Sequence, residues 1–140
     1  MQNSDSPTIK NEAAARWRQI GLWSVKLLLA AAFIAAGGAN LYGLPILVQN
    51  FEQIGLGQWF RYFTGTLELI GAAALLAPAV ASLGALLLAA IMVGATLTHL
   101  FVLPGSPVPA ITLFALSVMV AWAHRDQIAV LASKILVDRD

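Results

Sequence analysis

Residues 64–76 read TGTLELIGAAALL, and the carboxylate of Glu68 stands alone in them. No other Asp, Glu, Lys or Arg occurs between Arg61 and Arg125. The run has none of the polar/apolar alternation of a half-buried strand, and away from water its backbone groups are all paired only if it coils into a helix. A carboxylate at membrane depth is costly, so Glu68 has to face the interior of a helix bundle and either find a partner or take up a proton.

The rest of the chain agrees with that setting. Of its 140 residues 59% are hydrophobic and 11% charged, with a mean hydropathy of +0.80, whereas a soluble domain carries about 25% charged residues. The hydrocarbon core of a bilayer takes about 20 residues of helix. The apolar runs predict spans near 22–42, 60–78, 82–103 and 107–125, joined by connections short enough for antiparallel neighbours. The expected fold class is all-α: an integral membrane four-helix bundle with short interfacial helices. A secretory peptide is not expected, because a polar segment precedes the first full-length run, which is read as a mature anchor. A β-barrel is excluded by the long Ala/Leu/Gly runs.

Orientation follows from the basic residues. Lys10, Arg16, Arg18 and Lys26 precede or open the first span, and Arg125, Lys134 and Arg139 follow the last. Only Arg61 lies on the other side. The positive-inside bias makes both termini cytoplasmic in a multi-pass protein of the inner (cytoplasmic) membrane. The expected organisation is a cytoplasmic N-terminal segment with an interfacial helix at 1–21, the bundle at 22–125 with an external loop at 43–60, and a cytoplasmic amphipathic tail at 126–140. In the lead-in, Ile9, Ala13, Trp17 and Ile20 share one helical face. In the tail, Ile128, Leu131 and Ile135 do the same. The basic residues form no dense patch, which leaves no case for nucleic acid.

The loop contains an apolar Ile46-Leu47-Val48 triplet too short to cross a bilayer, expected to hug the membrane. Phe51 to Phe60 is expected to form a short helix over the outer mouth, with Phe51 and Trp59 as its apolar contacts. Alternatively, the aromatic residues belong to the interfacial belt. Arg61 either reaches a lipid phosphate or turns inward to a carboxylate.

Three spans bring polar groups to similar depth in the outer half: Asn40 from the first, Glu68 from the second, His99 from the third. Thr64, Thr96 and Thr98 lie near them in height. Asn40, Arg61, Thr64, Glu68, Thr98 and His99 are therefore the candidates for ligand binding or proton exchange. The competing interpretation is that Glu68 is intramembrane glue, held by His99 or backbone. Gly38, Gly65, Gly71, Ala90 and Gly94 are expected to let helices approach closely.

Several chemistries have little support. There is no cysteine, hence no thiol relay and no Cys-ligated cluster. His99 and His124 belong to opposite faces of the membrane and cannot clamp one haem. One Glu with one His falls short of the three protein ligands usual at catalytic zinc, so no metal site is expected. No serine has a matched base, and no catalytic residue is assigned.

The stretches AGGANLYG at 36–43, FEQIGLGQWFRYFTGTLELIGAAALL at 51–76 and MVGATLTHL at 92–100 resemble the DoxX-like family of small four-helix bacterial membrane proteins, over about 24–123. A lysine often follows the first helix's glycines in that family; here Asn40 stands in that neighbourhood. The resemblance implies a four-helix fold. Through relatives linked to quinol oxidase and thiosulfate:quinone oxidoreductase systems, it also implies a quinone-binding or anchoring subunit whose redox centre resides in a membrane partner. No cofactor is expected in this chain itself, with quinone as the candidate ligand. The other class left open is a non-catalytic lipid- or protein-binding bundle that assists assembly of membrane partners, alone or as a homo-oligomer. Whether the chain is an enzyme stays open between them.

Overall fold

A computed structural model of the chain describes residues 7–137. Its helices are α1 Pro7–Tyr42, α2 Pro45–Ile54, α3 Gln58–Leu76, α4 Ala81–Phe101, α5 Val108–Ala123 and α6 Arg125–Val137, and no strand occurs among the described residues. Arg139, counted above with the basic flank, and the first part of the N-terminal segment at 1–6 lie outside the described residues.

Helix α3 joins two of its neighbours. It packs against α1 on one side and α4 on the other, while α5 packs on α4 and less extensively on α1. By length and composition α1 and α4 can each cross a membrane, and α5 meets that test jointly with α6, from which it is bent by 63°. With 19 residues, α3 is about 29 Å long at 1.5 Å per residue, close to the thickness of the hydrocarbon. It buries two charged side chains, Arg61 and Glu68, beside the buried Lys26 and Asn40 of α1. The charged and polar side chains of α1 and α3 are turned to the interior of the bundle. This arrangement is what the cost of a charge in lipid demands.

Glycine sets the distances. A Cβ on Gly37 would stand 2.8 Å from the Gly65 carbonyl oxygen, and one on Gly65 would stand 2.8 Å from the Asn40 Cβ, so α1 and α3 touch backbone to backbone. Between α3 and α4, a Cβ on Gly84 would meet Leu75 N at 2.5 Å and Gly71 O at 2.8 Å, while one on Gly71 would meet the Leu88 side chain at 2.6 Å. Close approach of this kind supplies packing where lipid removes the hydrophobic drive between helices. The expected packing set is corrected in part. Gly65 and Gly71 sit at the crossings, but Gly38 and Gly94 would have nothing within 4 Å of an added Cβ, and Ala90 is exposed. The physical reason is the rotation of α4. Its buried residues are Ala81, Ser82, Gly84, Ala85, Leu88, Ala89 and Met92, which leaves the Ala90–Gly94 stripe off the crossing.

Apolar side chains fill the half of the bundle nearest the termini, where Leu29, Phe33, Leu75, Leu88 and Val120 are almost wholly buried. Lys26 belongs to this half and not to an open basic flank: it is 2% exposed, with its Nζ 4.2 Å from the centre of the Trp23 ring. Its stem is packed among apolar groups while the ammonium rests on an aromatic face.

The connections differ from expectation in two places. Residues 8–20 do not form a separate interfacial helix. They are the first turns of α1, whose 36 residues run about 54 Å, well beyond the hydrocarbon. Ala13 to Ala15 favour helix, and no proline interrupts the chain between Pro7 and Pro45. The loop helix is α2 at Pro45–Ile54, not 51–60. Pro45 occupies its first turn, and Gly55 ends it in the left-handed conformation at φ 81°, as helix starts and stops favour. The Ile46-Leu47-Val48 triplet is therefore part of α2. At the opposite end Gln127 fastens α6, donating from Nε2 to Pro78 O at 2.5 Å and accepting from Ser82 N at 3.2 Å. Ile128 and Leu131 are half-buried, and the same face is exposed at Ile135 farther along.

Candidate functional site

The half of the bundle opposite the apolar core holds a cavity of about 410 Å³, walled by α1, α2, α3 and α4. Asn40, Thr64, Glu68, Thr98 and His99 all line it, so five of the six polar candidates come from three helices to one space. Most of the wall is apolar, with Leu47, Phe51 and Ile54 contributed by α2, and Phe60 and Ile91 by the long helices.

The polar end is built by the glycine crossing. Because Gly37 and Gly65 let α1 and α3 touch, Asn40 reaches Glu68 and donates from Nδ2 to Oε2 at 2.9 Å. Glu68 is 4% exposed and Asn40 6%. With its amide nitrogen committed to the carboxylate, Asn40 has its Oδ1 buried and without a hydrogen-bond partner. His99 Nδ1 is in the same condition. His99 stands in the last turn of α4, and Gly105, at φ 127° in the turn that follows, would bring a Cβ to 3.9 Å from that nitrogen. Buried polar atoms are nearly always satisfied, and leaving one bare costs about 1–3 kcal/mol. Both residues line the cavity; Ser82 Oγ and Ser117 Oγ, away from it, are unpartnered in the same way. The hydroxyl of Thr98 is used internally, donating to Gly94 O at 2.8 Å.

Arg61 is the sixth candidate, and the structure places it behind the cavity wall. It turns inward, as one of the two expected alternatives has it, but toward a carbonyl and not toward Glu68. Its Nη1 donates to the backbone oxygen of Asn40, one of the carbonyls that the end of α1 leaves without an intrahelical donor. Its Nε donates to Gln58 Oε1 at 2.7 Å, and Gln58 Nε2 donates to Val48 O at 3.0 Å. Arg61 and Gln58 thus tie the end of α1 and the short α2 to α3, which holds α2 in place as one wall. Gln58 was not foreseen; its position one turn before Arg61 is the signal that points to it.

Trp59 takes the exposed position of the interfacial-belt alternative and not a place over the mouth. It is 64% exposed and outside the cavity, and Phe60 takes the inward place, its ring 5.9 Å from Phe51 in an edge contact. Helix α3 starts at Gln58, right after Gly57, so consecutive residues 59 and 60 point about 100° apart. Phe51 lines the cavity from α2. Gly94 also lines it, and open space lies where its side chain would be. Among the described residues, no group of three or more His, Asp or Glu is placed to hold a metal ion.

A family model described as the DoxX-like family matches residues 24–124. No curated protein and no solved structure matches the chain.

Proposed function

The chain belongs to the DoxX-like family, and we propose that this membrane protein uses its cavity to bind a lipid-soluble molecule with a polar head, of the quinone or quinol class, as the binding or anchoring subunit of a membrane oxidoreductase system. The observation that carries this reading is a cavity with a mainly apolar wall into which three helices bring Asn40, Glu68 and His99, two of them with a polar atom, Asn40 Oδ1 and His99 Nδ1, that has no hydrogen-bond partner. A volume of about 410 Å³ falls among ordinary small-molecule pockets, which run from about 300 to 1,000 Å³. A quinol hydroxyl satisfies Asn40 Oδ1 as a donor, and the imidazole serves a second oxygen as donor or acceptor according to its tautomer. The pair of polar groups therefore fits the reduced, quinol form of the head.

When bound, a quinone supplies the redox chemistry. The residues of this chain orient its head, exclude water from it, and at the Glu68 carboxylate hold or pass on a proton. With no cysteine in the sequence, electrons are assigned to a partner protein. His99→Ala should lower the quinone retained by the purified protein roughly tenfold, the worth of about one buried hydrogen bond, with helicity unchanged. Glu68→Gln keeps the acceptor for Asn40, so the fold and the bound quinone should survive while quinol-linked electron transfer in membranes stops for want of a titratable proton. Quinone content by mass spectrometry and transfer rate per assembled protein are the readouts. Parental values for both variants would remove this assignment.

Within the same reading, the termini face the cytoplasm across the inner membrane, supported by the basic residues at that end. A cysteine placed at Gln49 should react with an impermeant maleimide in intact cells, and one at Ala13 only after lysis. The native chain's lack of cysteine makes the labels unambiguous. The reverse pattern would invert the topology.

A further inference from the structure

The end of the bundle far from the quinone cavity has a second space that this reading does not use. A cavity of about 640 Å³ opens between α1 and the α5–α6 bend. Arg18 and Arg125 line it from opposite sides, with Leu22, Met119 and Trp122 as apolar wall and Asp126 as the one acidic group. Arg125 is held in place. Its Nη1 donates to Trp122 O at 3.3 Å, and its guanidinium lies 5.2 Å from the centre of the Trp122 ring. Arg18 forms no ion pair or hydrogen bond among the described residues, although Asp126 borders the same space. Two guanidinium groups against one carboxylate leave the cavity with a net positive charge.

Depth decides what that charge meets. Trp122 is 69% exposed, Trp17 71% and Trp23 39%, and exposed tryptophans at one end of a membrane bundle mark the level of the lipid headgroups. Gly21 also borders the cavity, where an added Cβ would have nothing within 4 Å. A space at headgroup level, cationic at its rim and apolar along its wall, matches a molecule that is anionic at one end and hydrocarbon at the other. We infer that this groove is a binding site for one phospholipid with a net negative headgroup, its phosphate between Arg18 and Arg125 and an acyl chain along Leu22 and Met119. Guanidinium groups bind phosphate oxygens by paired, charge-assisted hydrogen bonds, and basic pockets between membrane helices select anionic headgroups for that reason. The site stands apart from the quinone assignment and does not rest on it.

The experiment is retention of lipid by the full chain, purified in mild detergent, exposed to phosphatidylglycerol or phosphatidylcholine and counted by native mass spectrometry. The parent should retain one phosphatidylglycerol at least tenfold more tightly than phosphatidylcholine. Arg18→Gln combined with Arg125→Gln should abolish that preference while the thermal midpoint stays at the parental value, since both side chains are exposed. Arg16→Gln, an equally exposed cation that does not line the groove, should leave the preference intact. Millimolar inorganic phosphate should fail to displace the lipid. The inference is overturned if the double variant keeps the preference, if Arg16→Gln removes it as effectively, if the parent holds both lipids equally, or if phosphate alone competes.

Discussion

Gly84→Val is expected to cost the protein its folded bundle under conditions where the parent is stable. The Cβ that valine requires would lie 2.5 Å from Leu75 N, 2.8 Å from Ala74 C and 2.8 Å from Gly71 O, all of them main-chain atoms of α3. A side chain in the way can rotate, but a helix backbone can only move as a whole, so α3 and α4 must part. Over-packing a core by single methylenes already costs about 1–3 kcal/mol, and separating two helices along a glycine crossing adds the contacts on either side. Even Gly84→Ala should lower stability by about 3 kcal/mol, a large share of the roughly 5–15 kcal/mol that holds a domain together. Gly71→Ala meets the Leu88 side chain first, and should be milder. Gly38→Ala enters open space and should be neutral, or slightly stabilising by helix propensity of about 0.5–1 kcal/mol. Unfolding of the solubilised protein by heat or by a denaturing detergent, followed by circular dichroism, gives the order. Equal effects at Gly84 and Gly38 would mean that the helices do not cross where they are described.

Gly94→Phe should have the opposite character: a folded protein with its cavity blocked. Nothing lies within 4 Å of a Cβ at that position, and Gly94 borders the space between Ala95, Thr98 and His99. A phenyl ring there occupies volume that the guest needs and displaces no side chain of the core. Quinone retention should fall at least tenfold while the unfolding midpoint stays within a few degrees of the parent. Full retention would place the ligand elsewhere on the molecule.

These two glycines show what can and cannot be read from the amino acids. The helices, their approximate spans and the convergence of Asn40, Glu68 and His99 follow from local pattern: apolar runs, turn residues, and a rise of about 1.5 Å per residue that sets depth. Which side of α4 meets α3 does not follow from that pattern. Its residues are apolar nearly all round, so periodicity gives no preferred face, and small residues recur every four positions both at Ala81, Ala85 and Ala89 and at Ala90, Gly94 and Thr98. The structure buries the first of these tracks, with Gly84 beside it at the crossing, and leaves Ala90 and Gly94 off it. Arg61 illustrates a second limit. Both of its expected partners were ionic, because charges are what a sequence displays. The partner it takes is a carbonyl at the end of α1, a group every residue carries and no letter announces. The bounds of α2 show a third limit. The aromatic residues around Phe51 and Trp59 suggest a helix at 51–60, whereas Pro45 and Gly55 are the residues that start and stop it.

Recognition of a quinone head by the cavity is tested most directly by a near-atomic density map of the protein purified from its native membrane without added lipid. The expected map, from protein kept reduced so that the head is a quinol, shows a flat ring in the cavity with one hydroxyl within hydrogen-bond distance of Asn40 Oδ1, a second oxygen near His99 Nδ1, and a chain leaving along Phe51 and Phe60. A cavity closed by side chains, or filled by an unbranched acyl tail with no polar group near Asn40 or His99, would contradict the assignment and leave the Asn40–Glu68 pair as a packing contact between α1 and α3.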